Sequence, residues 1–504
     1  MLALLQFDSA SEELIQRMLE EGRLPNLAAL RARGRWQPLE PPANLFQSAT
    51  YPTLYTGMDL GEHGLYSAFP WSGPDQRVRF MHRFPKPQTI WDRLTRSGRR
   101  SLIVDPYLAW APERMEGIFL SGWEFTDRIV MQRSWMPRRT GRALARRHGR
   151  PPDLSDVYGV PRASTLLAWR DHLVQGPART AGAVLELLER DRFDLVWINF
   201  SAAHKAGHQL WDPLSMIEAD LDDASERTLR TGLEDVYVAV DEALGRVLGA
   251  LPADADTIVL SPIGMGPNTS RADLLPGMLD AILSNGEPSR GNGGSGFKTP
   301  IWAVRARVPV GWRNRVARSL PNRMVADMTT RLYMKADWER TMAMAVPGEC
   351  HGYVRLNMRG REREGIVDPE GADGLMDELT EGLMTFQDPD GGGVVQGVER
   401  ASELVGACPC AEQIPDLVIR WADRPATGIP AVSSPLYGRI ERRGVGSGRS
   451  GHHTDDAWTL LVPGVSRARE LDRPAELTDI GATICDRLDA DTAGLTGLPL
   501  LEPA

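Results

Sequence analysis

The sequence predicts an α/β fold in which helices flank a mostly parallel central sheet. Short apolar runs such as Ala3–Phe7 and Leu195–Phe200 have the continuous hydrophobicity of strands buried on both faces. Segments with helical periodicity, including Ala181–Arg190 and Leu233–Leu251, alternate with such runs. Because this alternation is typical of a parallel sheet, we expect functional groups at the carboxyl ends of the strands.

The first 64 residues place a carboxylate and a helix start close together. The strand Ala3–Phe7 ends at Asp8, and Ser11 followed by two glutamates marks the start of a helix. The segment Pro41–Gly64 is rich in hydroxyl groups, glycine and proline, and its Ala49–Tyr55 portion is predicted to form a helix that begins beside Asp8. Helix N-termini bind anions, so an anionic ligand is expected here.

Helix and strand signals continue along the rest of the chain. Thr89–Leu94 is predicted as a helix and Ser101–Pro106 as a strand, and Thr257–Leu260 and Asp416–Trp421 have the composition of further strands. No internal repeat is found in the sequence. We therefore predict one large domain with insertions rather than a repeat array.

Two stretches are predicted to be insertions or cap segments of this single domain, which spans residues 1–504. Residues 125–160 contain the basic run Arg133–Arg150, interpreted as a solvated helix that leaves the core, with a grip on an anionic ligand as the alternative. Residues 285–345 contain a Gly/Ser-rich loop and a basic segment with helical character. Its GNGGSGFK stretch is not a P-loop, because Lys298 does not directly follow the last glycine.

Composition and charge argue against several classes of protein. The chain is 42% hydrophobic and 25% charged, as globular proteins are, and its net charge of −9 argues against general nucleic-acid binding. Four cysteines are too few for a disulfide framework, and neither a signal peptide nor an apolar run of about 18 residues is found. We predict a cytoplasmic protein that acts on a small-molecule substrate, with an anionic substrate as one alternative. We expect no nucleic-acid or membrane partner. The sequence leaves both a monomer and a homo-oligomer open.

A pair of histidines follows the strand Leu195–Phe200. His204 and His208 are four residues apart, so a helix here stacks both imidazoles on one face, where they can bind a single metal ion. The alternative is that both are packed or surface histidines. We favour a metal site at the carboxyl end of this strand.

Four segments resemble, in order, the alkaline phosphatase superfamily and, within it, the branch of type I phosphodiesterase/nucleotide pyrophosphatase-like proteins. These segments are FDSASEELIQRMLEEGRLPNLAALRARG, TYPTLYTGMDLGEHG, LSPIGMGPN and RSGHHTDDAW. The resemblance covers nearly the whole chain. It implies an alkaline-phosphatase-like α/β fold and an active site in which two metal ions flank a Thr or Ser nucleophile.

The resemblance implies that only half of that site is present. His204 stands where the family has an aspartate ligand, and His208 and His453 match the other two ligands of the same ion. The second ion would retain only Asp8, because the family's SDHG segment is replaced here by Ser261-Pro262-Ile263-Gly264. Gln47 occupies the nucleophile position, although Ser48 and Thr50 are close enough for a small shift in alignment to supply a hydroxyl.

Each candidate residue is given a role. The candidates are Asp8 and Gln47 for catalysis, Ser48, Thr50 and Asn268 for substrate binding, His204, His208 and His453 as metal ligands, and His452 as a support for those ligands. For His452, a fourth ligand and an exposed side chain are the alternatives. Asp8 either orients a ligand imidazole, acts as a base, or caps the helix that begins near Ser11.

These features favour a metal-dependent hydrolase of phosphoesters or related esters. It would use one divalent transition metal, Zn or Fe, to activate water for direct attack, without a Thr/Ser phospho-enzyme. One alternative is a non-hydrolytic metalloenzyme of redox or lyase type. Another is an inactive protein that binds a ligand or a partner through the inherited cleft.

Overall fold

The computed structural model describes most of the chain. The described residues are 1–41, 46–79, 81, 86–127, 131–154, 161–217, 221–286, 337–348, 350–405, 411–442 and 446–504. Most of the second predicted insertion, including the Gly/Ser-rich loop, lies outside them, as do Cys408 and Cys410.

Twenty-one strands are found in the described residues. They are β1 (Leu2–Phe7), β2 (Arg35–Glu40), β3 (Trp71–Ser72), β4 (Arg77–Val78), β5 (Ser101–Val104), β6 (Gly117–Ser121), β7 (Ser134–Met136), β8 (Leu195–Phe200), β9 (Asp256–Ser261), β10 (Gly266–Pro267), β11 (Ala343–Val346), β12 (Gly352–Leu356), β13 (Val395–Arg400), β14 (Leu417–Trp421), β15 (Ala431–Ser434), β16 (Gly438–Glu441), β17 (Gly451–His452), β18 (Ala457–Val462), β19 (Ser466–Ala468), β20 (Ala475–Glu476) and β21 (Leu501–Pro503).

Fourteen α-helices accompany the strands in the same part of the chain. They are α1 (Glu12–Glu20), α2 (Pro25–Arg31), α3 (Thr50–Thr56), α4 (Leu60–His63), α5 (Ile90–Arg96), α6 (Arg138–Arg147), α7 (Ala163–Arg190), α8 (Ala202–Leu210), α9 (Asp223–Arg230), α10 (Gly232–Leu248), α11 (Leu275–Leu283), α12 (Pro369–Met384), α13 (Ala401–Val405) and α14 (Leu477–Arg487). Two short 3-10 helices cover Gln47–Ala49 and Pro213–Met216.

A nine-stranded sheet forms the core, in the order β20-β2-β18-β9-β1-β8-β5-β6-β7. Its central run β9-β1-β8-β5-β6 is parallel throughout. Every residue of β1, β8 and β9 is buried, which explains the mostly apolar sequences of β1 and β8. The predicted α/β fold with a mostly parallel sheet is confirmed.

Helices cover both faces of this sheet. On one face, apolar residues of α1, α2, α7, α8 and α10 pack in one cluster with the strands. On the other face, α3, α5 and α14 pack in a second cluster. The sheet is therefore the middle layer of three, and the carboxyl ends of β1, β8 and β9 meet at one edge.

A smaller sheet, β11-β12-β14-β13, packs with α11 and α12 around a third apolar cluster. The short ribbon β10-β17 pairs Gly266 with His452. This pairing brings the histidines near the C-terminus to the end of β9.

The basic run Arg133–Arg150 contains the expected solvated helix, with its arginines exposed, but its first part is a strand. Its first part, β7, pairs antiparallel with β6 and forms the edge strand of the central sheet. The helix α6 follows, with Leu144 and Ala145 buried. The physical reason is packing of Trp135, whose ring lies 5.7 Å from that of buried Trp123. This part of the run therefore belongs to the core.

Among the described helices, none combines the length and apolar content needed to cross a bilayer. The two cysteines in the described residues, Cys350 and Cys485, are buried.

Candidate metal centre

The fold brings His204, His208 and His453 together. The first two lie on α8, directly after β8, as their spacing predicted, and His453 follows β17. One ligand atom from each ring lies within 4.8 Å of the others, and the ring centroids are 4.7 to 5.0 Å apart. Within the described residues, this is the single cluster of three or more His, Cys, Asp or Glu that is suited to an ion.

Each of the three rings has a partner for its Nδ1 atom. In His208, Nδ1 lies 3.0 Å from the carbonyl oxygen of Gly451, and in His453 it lies 3.4 Å from that of Gly264. In His204, Nδ1 lies 3.3 Å from Oδ2 of Asp8. Since carbonyl oxygens only accept, His208 and His453 carry their proton on Nδ1. This leaves their Nε2 lone pairs as donors for a metal, which is how metal-binding histidines are usually held. Around Nδ1 of His204, the hydroxyls of Ser9 and Tyr51 also lie at 3.0 Å, and each of them can donate or accept.

The surroundings of the Nε2 atom of His204 bear on whether a metal ion fits this site. It is buried and has no hydrogen-bond partner in the described residues. A buried polar nitrogen without a partner costs free energy, and a metal ion would supply the missing contact. The donor set of three imidazoles suits Zn, Fe, Cu or Ni, and it leaves positions open for water or substrate.

Burial and neighbouring positive groups favour the neutral form of His208 and His453. Burial and then the positive charge of Arg449 lower the pKa of His208 well below its ordinary value. Burial and then the neighbouring His204 and His452 rings lower the pKa of His453 in the same way. Neutral imidazoles are the form that binds metals, so protons compete weakly for these two rings.

Asp8 is surrounded by donors at the end of β1. Its Oδ1 accepts from Gln6 Nε2 at 3.2 Å, Ser9 Oγ at 3.4 Å and Tyr51 OH at 3.0 Å, and its Oδ2 accepts from Asn199 Nδ2 at 3.1 Å. With the His204 contact, these donors occupy both carboxylate oxygens. The α1 cap is supplied by Ser11, whose Oγ accepts from the Leu14 backbone N–H at 3.3 Å. Of the expected roles for Asp8, the geometry favours orientation of a ligand ring.

The segment Ser261–Gly264, which replaces the family's SDHG pattern, makes internal contacts with the protein. Ser261 Oγ donates to the Ile263 carbonyl at 2.8 Å and accepts from the Ala10 backbone N–H at 2.9 Å. Ile263 is 2% exposed and packs in the apolar cluster behind the sheet. An apolar side chain thus occupies the position where the family pattern has a ligand.

Gln47, Ser48 and Thr50 are all buried on the segment that leads into α3. Gln47 Oε1 accepts from the Cys350 backbone N–H at 3.3 Å, so it connects this segment to the start of β12. Thr50 Oγ1 has no hydrogen-bond partner in the described residues. The residue of α3 that reaches Asp8 is Tyr51. The catalytic and substrate-binding roles of Gln47, Ser48 and Thr50 stay predictions.

Asn268 contacts the segment that precedes His452 and His453. Its Nδ2 donates to the Arg449 carbonyl at 2.8 Å, and its Oδ1 accepts from the Ser270 backbone N–H at 2.9 Å. Its own backbone N–H donates to the Ser450 carbonyl at 2.9 Å. These contacts fix the segment that leads into His452 and His453, and the substrate contact stays a prediction.

His452 lies next to the ligands. Its ring is perpendicular to that of His208, with centroids 5.8 Å apart, and its Nδ1 accepts from the His453 backbone N–H at 3.2 Å. The thiol of Cys350 contacts the same Nδ1. This arrangement supports the ligand loop, although the role of His452 stays a prediction.

Several site residues were missed in the sequence. Tyr107 places its ring 4.1 Å from His204, and Tyr51 OH lies 3.0 Å from His204 Nδ1. Asn199 connects Asp8 to the Asp105 carbonyl. Asn199 could have been identified from the sequence, because it is a polar residue inside an otherwise apolar strand. Nothing in the local sequence identified the two tyrosines, because both contacts are made across the fold.

Two buried carboxyl groups, those of Glu124 and Asp105, hold the N-terminus of helix α8, which carries His204 and His208. Glu124 Oε2 accepts from the Ala202 backbone N–H at 2.7 Å. Ser201 Oγ donates to Asp105 and lies 3.3 Å from Glu124 Oε2. Burial and then the charge of Asp105 raise the pKa of Glu124 to about 8, against the opposing charge of Arg179. Glu124 is therefore protonated in the folded protein at neutral pH.

Glu124→Gln is expected to change how stability depends on pH. A carboxyl group with a raised pKa contributes stability that is complete below its unfolded value, near pH 4.5, and is lost as pH rises through about 8. Glutamine keeps an oxygen for Ala202 but does not titrate. Relative to wild type, the variant should gain free energy of unfolding between pH 5 and 8, by at most about 1.4 kcal/mol per pH unit for one proton. Urea unfolding at several pH values measures this.

The exposed Glu189→Gln is the matched control for this series and should leave the pH dependence unchanged. Parallel stability curves for Glu124→Gln and wild type across pH 5 to 8 would contradict the expectation.

Known proteins match the chain in sequence and in structure. Residues 2–426 match the family model for type I phosphodiesterase / nucleotide pyrophosphatase. Two structures of phosphonoacetate hydrolase from Sinorhizobium meliloti 1021 are similar, one in complex with phosphonoformate (TM-score 0.48) and one with phosphonoacetate (TM-score 0.49). Each is 13% identical in sequence, and the match covers 97% of this chain and 95% of the other. The comparison with curated protein sequences finds no match.

Proposed function

This chain belongs to the type I phosphodiesterase / nucleotide pyrophosphatase family, and on that basis we propose that it hydrolyses phosphoesters or related esters with one metal ion held by three histidines. The ion is a divalent transition metal, Zn or Fe. The ligands are His204, His208 and His453. The reaction proceeds without a phospho-enzyme on Thr or Ser.

The observation that carries this proposal is the shared orientation of the three rings. Each Nδ1 is engaged by an oxygen, and the Nε2 of His204 is buried without a partner in the described residues. Three histidines that merely pack would have no need of one meeting point. This pattern supports a metal site that is organised before the ion binds.

When bound, the ion would supply Lewis-acid chemistry and lower the pKa of a water molecule. The chain's own residues do the rest. Asp8 fixes the His204 ring, and the carbonyls of Gly451 and Gly264 fix the other two. The lowered pKa values of His208 and His453 keep both rings neutral and able to bind the ion.

The surroundings of Gln47 support direct attack by water. Its amide cannot form a phospho-ester, and its oxygen is bonded to the Cys350 backbone. The donors around Asp8 and the apolar contacts of Ile263 leave this carboxylate as the one remaining group of the second site. A covalent Thr or Ser intermediate would therefore lack the second ion that activates the nucleophile in the family pattern.

The test is metal content followed by turnover. Protein purified without chelators should contain about one equivalent of Zn or Fe per chain. It should hydrolyse bis-p-nitrophenyl phosphate or p-nitrophenyl phosphate, lose this activity with a chelator, and regain it with the same metal. Absence of a bound transition metal sinks the proposal.

Two other outcomes favour the alternatives. Iron together with oxygen-dependent turnover and no ester hydrolysis would indicate a non-hydrolytic metalloenzyme. An inert, metal-free protein that gains phosphodiesterase activity from Gln47→Thr with Pro262→Asp and Ile263→His would indicate a pseudoenzyme. A cytoplasmic location is also part of the proposal, and cell fractionation tests it. Gel filtration decides between a monomer and a homo-oligomer.

A further inference from the structure

Ser9 contacts both the proposed metal ligand His204 and the carboxylate of Asp8. Its side chain is fully buried in the turn between β1 and α1, and its Oγ lies 3.0 Å from Nδ1 of His204. The hydroxyl of Tyr51 lies 3.0 Å from the same Nδ1 and 3.0 Å from Ser9 Oγ. Both hydroxyls are therefore closer to the ring nitrogen than Oδ2 of Asp8, which is 3.3 Å away.

We propose that Ser9 is a positioning residue of the metal centre: its Oγ and the Tyr51 hydroxyl hold the Nδ1 edge of His204, so that Nε2 of the same ring is free to bind the ion. This inference rests on the proposed function, because it concerns the ion that the three histidines would hold. It assigns a role to two residues that supply no ligand atom themselves.

The first argument is the count of protons around Nδ1 of His204. The Tyr51 hydroxyl donates to Asp8 Oδ1 at 3.0 Å, and Ser9 Oγ donates to the same oxygen at 3.4 Å. Each hydroxyl oxygen keeps lone pairs, so it can accept the Nδ1–H of the ring at the same time. Every proton in this group then has an acceptor, and Nε2 keeps its lone pair for a metal.

The second argument is the environment of Nε2. This atom of His204 is buried and has no hydrogen-bond partner in the described residues. A proton on Nε2 would form a buried N–H group without an acceptor there, which costs free energy. A proton on Nδ1 avoids this cost, because the hydroxyls of Ser9 and Tyr51 can accept it. The two hydroxyls thus favour the tautomer that an ion on Nε2 requires.

The third argument is the backbone of Ser9. Its φ of 52° lies in the left-handed region, which residues other than glycine rarely adopt. The turn is held in place from the sheet, because the Ala10 backbone N–H donates to Ser261 Oγ at 2.9 Å. Glycine would adopt this conformation without strain, but it would lack the hydroxyl. The contact with the imidazole ring therefore accounts for a serine at this strained position.

The experiment compares two variants that both lack the hydroxyl. Ser9→Gly suits the left-handed backbone, whereas Ser9→Ala does not. The dissociation constant for Zn²⁺, measured by competition with a chromophoric chelator, should rise about tenfold or more in both, the usual effect of losing a partner behind a metal-bound histidine. Without metal, the midpoint of thermal unfolding should be higher for Ser9→Gly than for Ser9→Ala.

Tyr51→Phe is a second test that leaves the backbone of Ser9 unchanged, and its zinc affinity should also fall. The visible absorption of the cobalt-loaded protein should shift in the Ser9 and Tyr51 variants, because this absorption depends on the geometry of the ligands. Asn285→Gly is the matched control, since Asn285 also has a left-handed φ of 51° but is exposed after α11. It should keep the zinc affinity and the cobalt spectrum of wild type.

Wild-type zinc affinity in Ser9→Gly would overturn the assignment and leave the metal proposal standing, whatever the affinity of Ser9→Ala, because the backbone and not the hydroxyl would then matter. If Ser9→Gly does not fold, Tyr51→Phe decides in its place, and wild-type affinity and an unshifted cobalt spectrum in that variant would overturn the assignment. A wild-type protein that binds neither zinc nor cobalt would overturn both proposals.

Discussion

Replacing His208 with alanine is expected to lower metal affinity by more than a hundredfold. Loss of a partner behind a ligand already costs about ten- to a hundredfold, and loss of the ligand itself should cost more. The same result is expected for His204→Ala, because its Nε2 is the buried atom without a partner in the described residues. Ester hydrolysis should fall with the metal.

Metal content after dialysis, measured by elemental analysis, tests this expectation in each variant. His172→Ala is the matched control, because His172 is exposed on α7 and far in sequence from the cluster. Unfolding curves in the absence of metal distinguish loss of a ligand from loss of the fold. Retention of a full equivalent of metal by His204→Ala and His208→Ala would contradict the three-histidine site.

Gly451→Ala is expected to disrupt the site without removing any ligand. A Cβ at this position would overlap the carbonyl oxygen of Gly207 and lie 2.8 Å from Trp211 Cβ. Helix α8 and strand β17 would have to separate, although the Gly451 carbonyl must stay within reach of His208 Nδ1. Overpacking of this kind should cost about 2 kcal/mol or more of unfolding free energy and weaken metal binding.

Thermal or urea unfolding and a metal titration measure both effects. Gly397→Ala is the control, because a Cβ there meets nothing within 4 Å. A Gly451→Ala protein with wild-type stability and wild-type metal affinity would show that the close approach of α8 and β17 is dispensable.

The sequence predicted the parts of the fold that depend on local patterns. Continuous apolar runs identified β1 and β8, and the Ser11 cap identified the start of α1, because burial and capping leave a signature within a few residues. The family resemblance is confirmed by the match over residues 2–426. The spacing of His204 and His208 predicted one helical face, and α8 confirms that helix.

The basic run Arg133–Arg150 was predicted in part, because its arginines are exposed on helix α6 but strand β7 was not expected. Charge alone predicted a solvated excursion, whereas Trp135 packs on Trp123 and β7 closes the edge of the sheet. The strand forms because burying the aromatic ring of Trp135 stabilises it, and the nearby arginines can stay exposed at the same time.

The sequence by itself determined the class of the fold and the helix that carries two histidines. Only the tertiary structure decided which atoms of the rings face one another. The partners of the three Nδ1 atoms, Asp8, Gly451 and Gly264, come from distant segments that meet at the carboxyl edge of the sheet. Two of these partners are backbone carbonyls, which every residue type carries, so no sequence pattern marks them.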